Sequence, residues 1–147
     1  MLPAYDLVYV EDDPTDARFF ERAIKKADPQ VRLHRLEDGQ AAVDFVARLS
    51  ADNTPLPKVF LLDIKLPKIL GFDVLRAIRD NARTRHLPVL MLSSSTQQQD
   101  VDRAYDLGAN AYLNKPPTMK QLNETVATVV KFWVRANRLA EVGSLSV

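Results

Sequence analysis

The 147-residue sequence contains no cysteine, which excludes disulfide bonds, thiolate metal sites and thiol catalysis. It also lacks an excess of one charge, because 20 lysines and arginines face 19 aspartates and glutamates. This balance gives no indication of a basic surface for nucleic acids or a polybasic membrane anchor. No apolar run approaches the roughly 18 residues of a membrane span, and residues 1–6 lack the basic start of a signal peptide. We therefore expect a cytoplasmic protein that binds neither nucleic acid nor membrane.

Short apolar runs alternate along the chain with segments of helical periodicity, and five such pairs occur. This alternation is typical of βαβ units around a parallel sheet. The length suits one domain with a substantial core of its own. We predict a single domain over residues 1–147, an α/β doubly wound sandwich with a five-stranded parallel sheet and an extended C-terminal helix.

Acidic side chains follow two of the apolar runs, at the points where the predicted strands end. Residues 11–13 are all acidic and follow the run 7–10, while Asp63 follows the run 59–62. In an open parallel sheet the carboxyl ends of the strands form the ligand crevice, so these carboxylates are expected to meet. Crowded carboxylates repel one another unless a hard cation that prefers oxygen ligands lies among them. The pattern predicts a site for Mg²⁺ or Mn²⁺.

Two further strand ends add a hydroxyl group and a cation. Ser93 follows the apolar run 88–92, and Lys115 follows a fifth run near residues 111–113. Hydroxyl donors and fixed cations can neutralise and hydrogen-bond the oxygens of a transferred phosphoryl group. A carboxylate can accept such a group as an aspartyl phosphate. Together these residue types suit transient phosphorylation of Asp63.

Five segments occur in a recognisable order: an acidic pair, an aspartate followed by Leu-Pro, a glycine, a serine after an aliphatic strand, and Lys-Pro. In this order they resemble the receiver domain of two-component response regulators. The resemblance covers nearly the whole chain and implies a flavodoxin-like (βα)5 fold. The matching segments are residues 10–14, 61–67, Gly71, 89–93 and 111–116.

The resemblance implies a role for each acidic residue. Asp63 is the expected phosphoacceptor, which receives its phosphoryl group from a phosphohistidine on a sensor histidine kinase. Glu11, Asp12, Asp63 and the backbone carbonyl of Lys65 are the expected ligands of the Mg²⁺ ion. Asp13 has a separate interpretation, as the N-cap of the first helix.

The resemblance also implies a switch. Ser93 is expected to bond a phosphoryl oxygen, and Lys115 is expected to pair with the phosphoryl group. Tyr112 is expected to turn inward as Ser93 moves, which would reshape the face formed by the fourth helix, fifth strand and fifth helix. The peptide bond before Pro116 is expected to be cis. From the residues alone, Lys115 is also compatible with a solvated cation at a strand end, and Tyr112 with a core aromatic.

Other protein classes fit the same residues less well. A haloacid-dehalogenase-type phosphatase also uses an aspartyl nucleophile with Mg²⁺, but it has a second aspartate where this chain has Lys65. A dinucleotide-binding enzyme has a glycine-rich turn after the first strand, where this chain has acidic residues 11–13. A pseudo-receiver that is never phosphorylated is the main alternative. We expect a signalling protein and not an enzyme.

Large apolar side chains continue past the usual end of a receiver domain. Residues 131–140 can prolong the last helix, within a predicted C-terminal extension over residues 131–147. Only one face of that helix can pack on the sheet, so Phe132, Trp133 and Val134 are candidates for an interface. We predict a homodimer through this extension.

The Phe-Trp tail and a long loop after the second helix are similar to those of single-domain regulators paired with bacterial phytochrome-type histidine kinases. This resemblance implies a stand-alone response regulator whose partner is such a kinase. Because no effector domain follows in this sequence, output is expected through protein binding. The binding partner would be the kinase, a downstream phosphotransfer protein or another target.

Overall fold

A computed structural model describes residues 4–51 and 54–140 of the chain. Within these residues five strands alternate with five α-helices. The strands are β1 (Leu7–Val10), β2 (Leu33–Leu36), β3 (Val59–Leu62), β4 (Val89–Ser93) and β5 (Ala111–Asn114). The helices are α1 (Pro14–Ala27), α2 (Gly39–Leu49), α3 (Gly71–Asp80), α4 (Gln98–Asp106) and α5 (Met119–Val129).

All strand pairs are parallel, and the sheet order is β2-β1-β3-β4-β5. The chain runs from β1 outward to β2 and then crosses to β3 on the other side of β1, so the strand order reverses there. Ligand crevices form at such a reversal, outside the carboxyl ends of the strands. Val10 is paired with Leu62, so the residues that follow β1 and β3 emerge side by side. The predicted flavodoxin-like (βα)5 sandwich with a five-stranded parallel sheet is confirmed.

Helices cover both faces of the sheet, so β1, β3 and β4 are buried along their whole length. Alternate side chains of each strand enter two separate cores, one beneath α2 and α3 and one beneath α1 and α5. Each large apolar side chain buried there stabilises the fold by about 1.5–3 kcal/mol. The two cores hold the strand ends rigidly, which fixes the positions of the polar residues that follow them.

Local signals set the helix ends near this edge of the sheet. Asp13 has an extended backbone and caps α1, because its carboxylate accepts hydrogen bonds from the backbone N–H groups of Thr15 and Asp16. Pro14 takes the first helical position, where its missing N–H costs nothing. None of the helices within residues 4–51 and 54–140 has both the length and the apolar character to cross a lipid bilayer.

After α5 the chain continues as a π-helical segment, Val130–Ala136, and leaves helical geometry at Asn137. Val134 follows the buried Val130 by four residues and therefore lies on the same face of the helix. Val134 is turned inward and is only 2 % exposed, packed in the core beneath α1 and α5. Its carbonyl accepts a hydrogen bond from Lys58 Nζ at 3.3 Å. The expectation that Val134 needs a partner outside the domain is therefore wrong.

The two aromatic residues of the segment lie differently. Phe132 is 51 % exposed, whereas Trp133 is partly buried against the core beneath α1 and α5. Their rings meet edge to face with centroids 4.9 Å apart. Residues 141–147 of the predicted extension lie outside the described residues.

Candidate functional site

Three carboxylates converge at the carboxyl ends of β1 and β3. Glu11 and Asp12 follow β1, Asp63 follows β3, and one oxygen of each lies within 4.8 Å of the others. Glu11 and Asp63 are buried, while Asp12 is exposed and leaves the group open to solvent. The structure thus brings together the three acidic side chains that the sequence analysis singled out.

The Lys115 ammonium lies against these carboxylates. Lys115 Nζ donates hydrogen bonds to Glu11 Oε1 at 2.6 Å, to Asp63 Oδ2 at 2.9 Å and to Asp16 Oδ2 at 3.1 Å. Burial alone would lower the pKa of Lys115, but the bonds to Glu11 and Asp63 outweigh burial and raise that pKa above its ordinary value. Lys115 is therefore a fixed cation at neutral pH.

Glu11 is the most enclosed acid of the group. Burial raises the pKa of Glu11, and the hydrogen bond and charge of Lys115 offset part of that rise. Two further donors reach its carboxylate: the Tyr9 hydroxyl at 3.3 Å and the backbone N–H of Asp13 at 3.2 Å. Burial, followed by the nearby Glu11 charge, raises the pKa of Tyr9, so that phenol stays protonated and acts as a donor.

The backbone around Asp63 is held by close packing. The Lys65 N–H lies 3.4 Å from Asp63 Oδ1, and the Lys65 side chain is exposed. The N–H of Gly71 donates to the Ile64 carbonyl at 2.8 Å, which folds the loop back onto the end of β3. A Cβ at Gly71 would overlap the Asp63 carbonyl oxygen, so a glycine is required for this approach. The loop thereby fixes the phosphoacceptor candidate from its C-terminal side.

Ser93 ends β4, is fully buried and accepts a hydrogen bond from the Ser95 N–H at 3.2 Å. The Ser95 carbonyl accepts two hydrogen bonds from β5, from the Tyr112 hydroxyl at 2.9 Å and from Asn114 Nδ2 at 3.0 Å. The Ser95 hydroxyl donates to Asp100 Oδ2 in the first turn of α4. The segment after Ser93 therefore links the candidate site to Tyr112 and to α4. Tyr112 itself is partly buried.

The peptide bond before Pro116 is trans, since the described residues contain no cis peptide. The expectation of a cis bond at this position is wrong for this structure. The physical reason is that an X–Pro bond favours trans by about 0.5–1 kcal/mol unless its surroundings impose cis. With this peptide bond in trans, Lys115 reaches the carboxylates of Glu11, Asp16 and Asp63.

Sequence reasoning missed two residues of the site. Asp16 lies in the first turn of α1 and contacts Lys115 across 99 positions of sequence. Arg35, on β2, donates to the backbone carbonyls of Glu11 at 3.1 Å and Asp12 at 3.3 Å and so holds the acidic turn. Arg35 can be connected to the site only through the register of the sheet, in which it is paired with Tyr9 on β1. No sequence signal points to Asp16.

The donor set fits a divalent cation that prefers oxygen. Glu11, Asp12 and Asp63 supply only carboxylate oxygens, as Mg²⁺ and Mn²⁺ require. Three carboxylates against the single ammonium of Lys115 leave an excess of negative charge, which a divalent cation would neutralise. The exposed side of Asp12 gives an ion access and leaves room for water ligands.

Comparisons with known proteins extend over nearly the whole chain. The response regulator receiver domain matches residues 7–127. The probable methanogenesis regulatory protein FilR2 of Methanothrix harundinacea is 36 % identical over 132 residues, which cover 90 % of this chain and 85 % of that protein. Response regulator Rcp1 of Synechocystis sp. is 34 % identical over 133 residues, 90 % of each chain.

Solved structures give the same result. The Mn²⁺-bound form of Rcp1 superposes with a TM-score of 0.81 at 33 % identity, over 95 % of this chain and 100 % of that one. The phosphorylated cyanobacterial phytochrome response regulator RcpA superposes with a TM-score of 0.82 at 28 % identity, over 94 % of this chain and 100 % of that one.

Proposed function

The chain belongs to the family of response regulator receiver domains, and from that premise we propose that Asp63 is its phosphoacceptor in a two-component phosphorelay. The observation that carries the proposal is the convergence of Glu11, Asp12 and Asp63 around the Lys115 ammonium. Phosphorylation is transient and alters the binding of other proteins. Asp63 itself is modified in this reaction, and we do not propose that the protein turns over a separate substrate.

In the proposed reaction a carboxylate oxygen of Asp63 attacks the phosphorus of a phosphohistidine. The new O–P bond forms as the N–P bond of the donor breaks, and its electron pair returns to the imidazole nitrogen. Lys115, 2.9 Å from Asp63 Oδ2, neutralises charge on the phosphoryl oxygens. The close packing of Gly71 against the Asp63 backbone carbonyl holds the backbone from which the attacking carboxylate projects.

Glu11, Asp12, Asp63 and the Lys65 backbone carbonyl would hold a Mg²⁺ or Mn²⁺ ion. When bound, such an ion neutralises the carboxylates and the equatorial oxygens of the phosphoryl group. Arg35 and Tyr9 keep the acidic turn in place, because they bond the carbonyls and the carboxylate of its residues. The Mn²⁺-bound state of the relative Rcp1 supports this assignment.

The signal passes to the surface through the segment after β4. The Ser93 hydroxyl accepts from the Ser95 N–H and keeps its own O–H to donate to a phosphoryl oxygen, so a movement of Ser93 toward that oxygen would shift Ser95 as well. A shift of Ser95 would then reach α4 through Asp100 and β5 through Tyr112. The proposed output is a change in the surface formed by α4, β5 and α5, which binds the kinase, a downstream phosphotransfer protein or another target.

A sensor histidine kinase is the proposed donor, and the similarity to RcpA favours a phytochrome-type kinase. Lys115 also lines a groove of about 310 Å³ between α1 and the start of α5, whose walls include Phe19, Met119 and Leu122. Phe19 is 41 % exposed there. The groove can seat an apolar side chain of a kinase helix beside the phosphohistidine. This partnership implies that the protein works in the cytoplasm, where kinases have access to ATP.

Phosphotransfer from a radiolabelled phytochrome-type histidine kinase tests this function. The wild-type protein should take up label rapidly, and Asp63→Asn should take up none. Phe19→Ala should slow the transfer about fivefold or more, because it removes an apolar contact at the interface. Phe132→Ala, which removes an exposed aromatic ring that does not line the groove, serves as the control, with all rates expressed per protomer because this variant also tests the dimer. Transfer to Asp63→Asn, or equal rates for Phe19→Ala and wild type, would contradict the respective assignment.

We also propose a homodimer through the end of α5 and the π-helical segment. The exposed ring of Phe132, braced by Trp133, is the apolar surface that supports it. Light scattering at micromolar concentration should give twice the monomer mass for wild type and the monomer mass for Phe132→Ala, with Phe19→Ala as the control that stays dimeric. A monomeric wild-type protein, both with and without phosphorylation, would contradict the dimer.

A further inference from the structure

Lys115 uses every hydrogen-bond donor that its ammonium group has. An ammonium carries three N–H donors, and these reach three carboxylates: Glu11 just after β1, Asp16 in α1 and Asp63 just after β3. Two of the three partners, Glu11 and Asp63, also belong to the group that can hold a metal ion. The third partner, Asp16, does not belong to that group. Among the described residues, Asp16 is therefore the one hydrogen-bond partner of the Lys115 ammonium that does not belong to the possible metal-binding group.

The position of Asp16 is fixed independently of Lys115. Its backbone N–H is bonded by the Asp13 cap, and its carboxylate lies in the first turn of α1, where the helix dipole favours a negative charge. Its side chain is 44 % exposed, compared with 20 % for Lys115. The Lys115–Asp16 ion pair thus lies at the solvent-facing edge of the site. It joins α1 to the loop after β5.

The contact between Asp16 and Lys115 matters because a metal ion would compete with Lys115 for the carboxylates of Glu11 and Asp63. A divalent cation would draw negative charge from the carboxylates of Glu11 and Asp63, which also hold the Lys115 ammonium. With such an ion bound and before the phosphoryl group arrives, Lys115 is held less strongly on the sheet side. Asp16 keeps its full charge throughout, because it neither binds the ion nor accepts the phosphoryl group.

We propose that Asp16 is a positioning residue, which holds the Lys115 ammonium beside Asp63 when a metal ion engages the carboxylates of Glu11 and Asp63, so that the lysine is in place as the phosphoryl group arrives. The inference rests on the proposed function, since it assigns Asp16 a part in the same phosphoryl transfer. Asp16 does not contact the reacting atoms and acts only through Lys115. Without it, the lysine is free to swing toward solvent at the moment when its charge is required.

Phosphorylation kinetics give the first test, with acetyl phosphate as donor at saturating Mg²⁺. Asp16→Asn keeps the shape of the side chain but removes its negative charge, so the Lys115 ammonium loses an ion pair and keeps only a hydrogen bond to an uncharged amide oxygen. We expect the rate to fall about three- to tenfold, and Asp16→Glu, which retains the charge, to recover most of it. Glu21→Gln removes the same charge from α1 away from Lys115 and should react at the wild-type rate.

The ¹⁵N-detected signal of the Lys115 ammonium gives a second reading that does not depend on turnover. In wild type with Mg²⁺, this signal should persist through slow proton exchange, and in Asp16→Asn it should broaden or vanish. An Asp16→Asn variant with the wild-type rate and an unchanged signal would overturn the inference while the phosphoacceptor role of Asp63 stands. A wild-type protein that takes up no phosphoryl group would instead overturn the proposed function, and the ammonium signal with Mg²⁺ alone would still decide whether Asp16 holds Lys115.

Discussion

Replacing Lys115 by methionine should destabilise the protein strongly in the absence of divalent cations. The substitution keeps most of the side-chain volume but leaves the buried carboxylates of Glu11 and Asp63 without their cation. These side chains are only 1 % and 8 % exposed, so water cannot take over the role of the ammonium. Removing one partner of a buried ion pair costs about 3–5 kcal/mol. Half-exposed Asp16 adds little to this, because exposed pairs contribute about 0–1 kcal/mol.

Urea unfolding at pH 7 with a chelator present measures this loss. With a slope of about 1.5 kcal/mol per molar, the midpoint should fall by about 2 to 3 M. Lowering the pH should shrink the deficit, because burial already raises the pKa of Glu11 and its protonation removes an unpaired charge. Lys120→Met, at an exposed position on α5, is the control and should leave the midpoint unchanged. A loss below about 1 kcal/mol, or a loss independent of pH, would refute the reasoning.

Three further predictions concern the loop beside Asp63, the opposite edge of the sheet and the proposed switch. Gly71→Ala should cost about 2 kcal/mol or more in urea unfolding and slow phosphorylation, because the added methyl overlaps the Asp63 carbonyl; wild-type values for both would contradict the close packing. Asp6→Asn should lower the free energy of unfolding by about 1–3 kcal/mol at pH 7. Burial raises the pKa of Asp6, but bonds and charges from Arg32 and Lys58 lower it more, to a net value below the ordinary 3.8. This stabilisation is present above the unfolded pKa and is lost as the pH falls through the lowered folded pKa, so unfolding curves of variant and wild type should converge below about pH 4; a constant difference would contradict it. Tyr112→Phe should lower the free energy of unfolding by about 1 kcal/mol or less and leave the rate of phosphorylation unchanged. The shifts of the α4 amide signals on addition of beryllium fluoride should become smaller. Shifts of wild-type size would exclude Tyr112 from the switch.

The strand ends could be predicted from sequence because their signals are local. A buried parallel strand is a continuous apolar run, so the residue that ends it can be identified without knowing its neighbours. Parallel pairing then places all carboxyl ends at one edge, which is why residues 11–13 and Asp63 could be expected to meet. The Asp13 cap and the proline after it mark the start of α1 in the same local way.

The contacts that sequence reasoning missed depend on tertiary geometry. Asp16 meets Lys115 only because α1 and the loop after β5 lie on the same side of the sheet. Val134 is the exception, because it lies four residues after buried Val130 and eight after buried Val126, and helical spacing alone places all three on the core face. The cis and trans forms of the peptide bond before Pro116 differ in free energy by only about 0.5–1 kcal/mol, and the local sequence does not decide between them.

The most direct test of the phosphoacceptor assignment is the intact mass of the protein after incubation with acetyl phosphate and Mg²⁺. We expect a gain of one phosphoryl group in wild type, and no gain in Asp63→Asn or when a chelator removes the metal. Peptide mapping after reduction of the acyl phosphate should locate the group on Asp63. An unmodified, folded wild-type protein in the presence of Mg²⁺ would contradict the account, and so would a phosphoryl group that persists in Asp63→Asn.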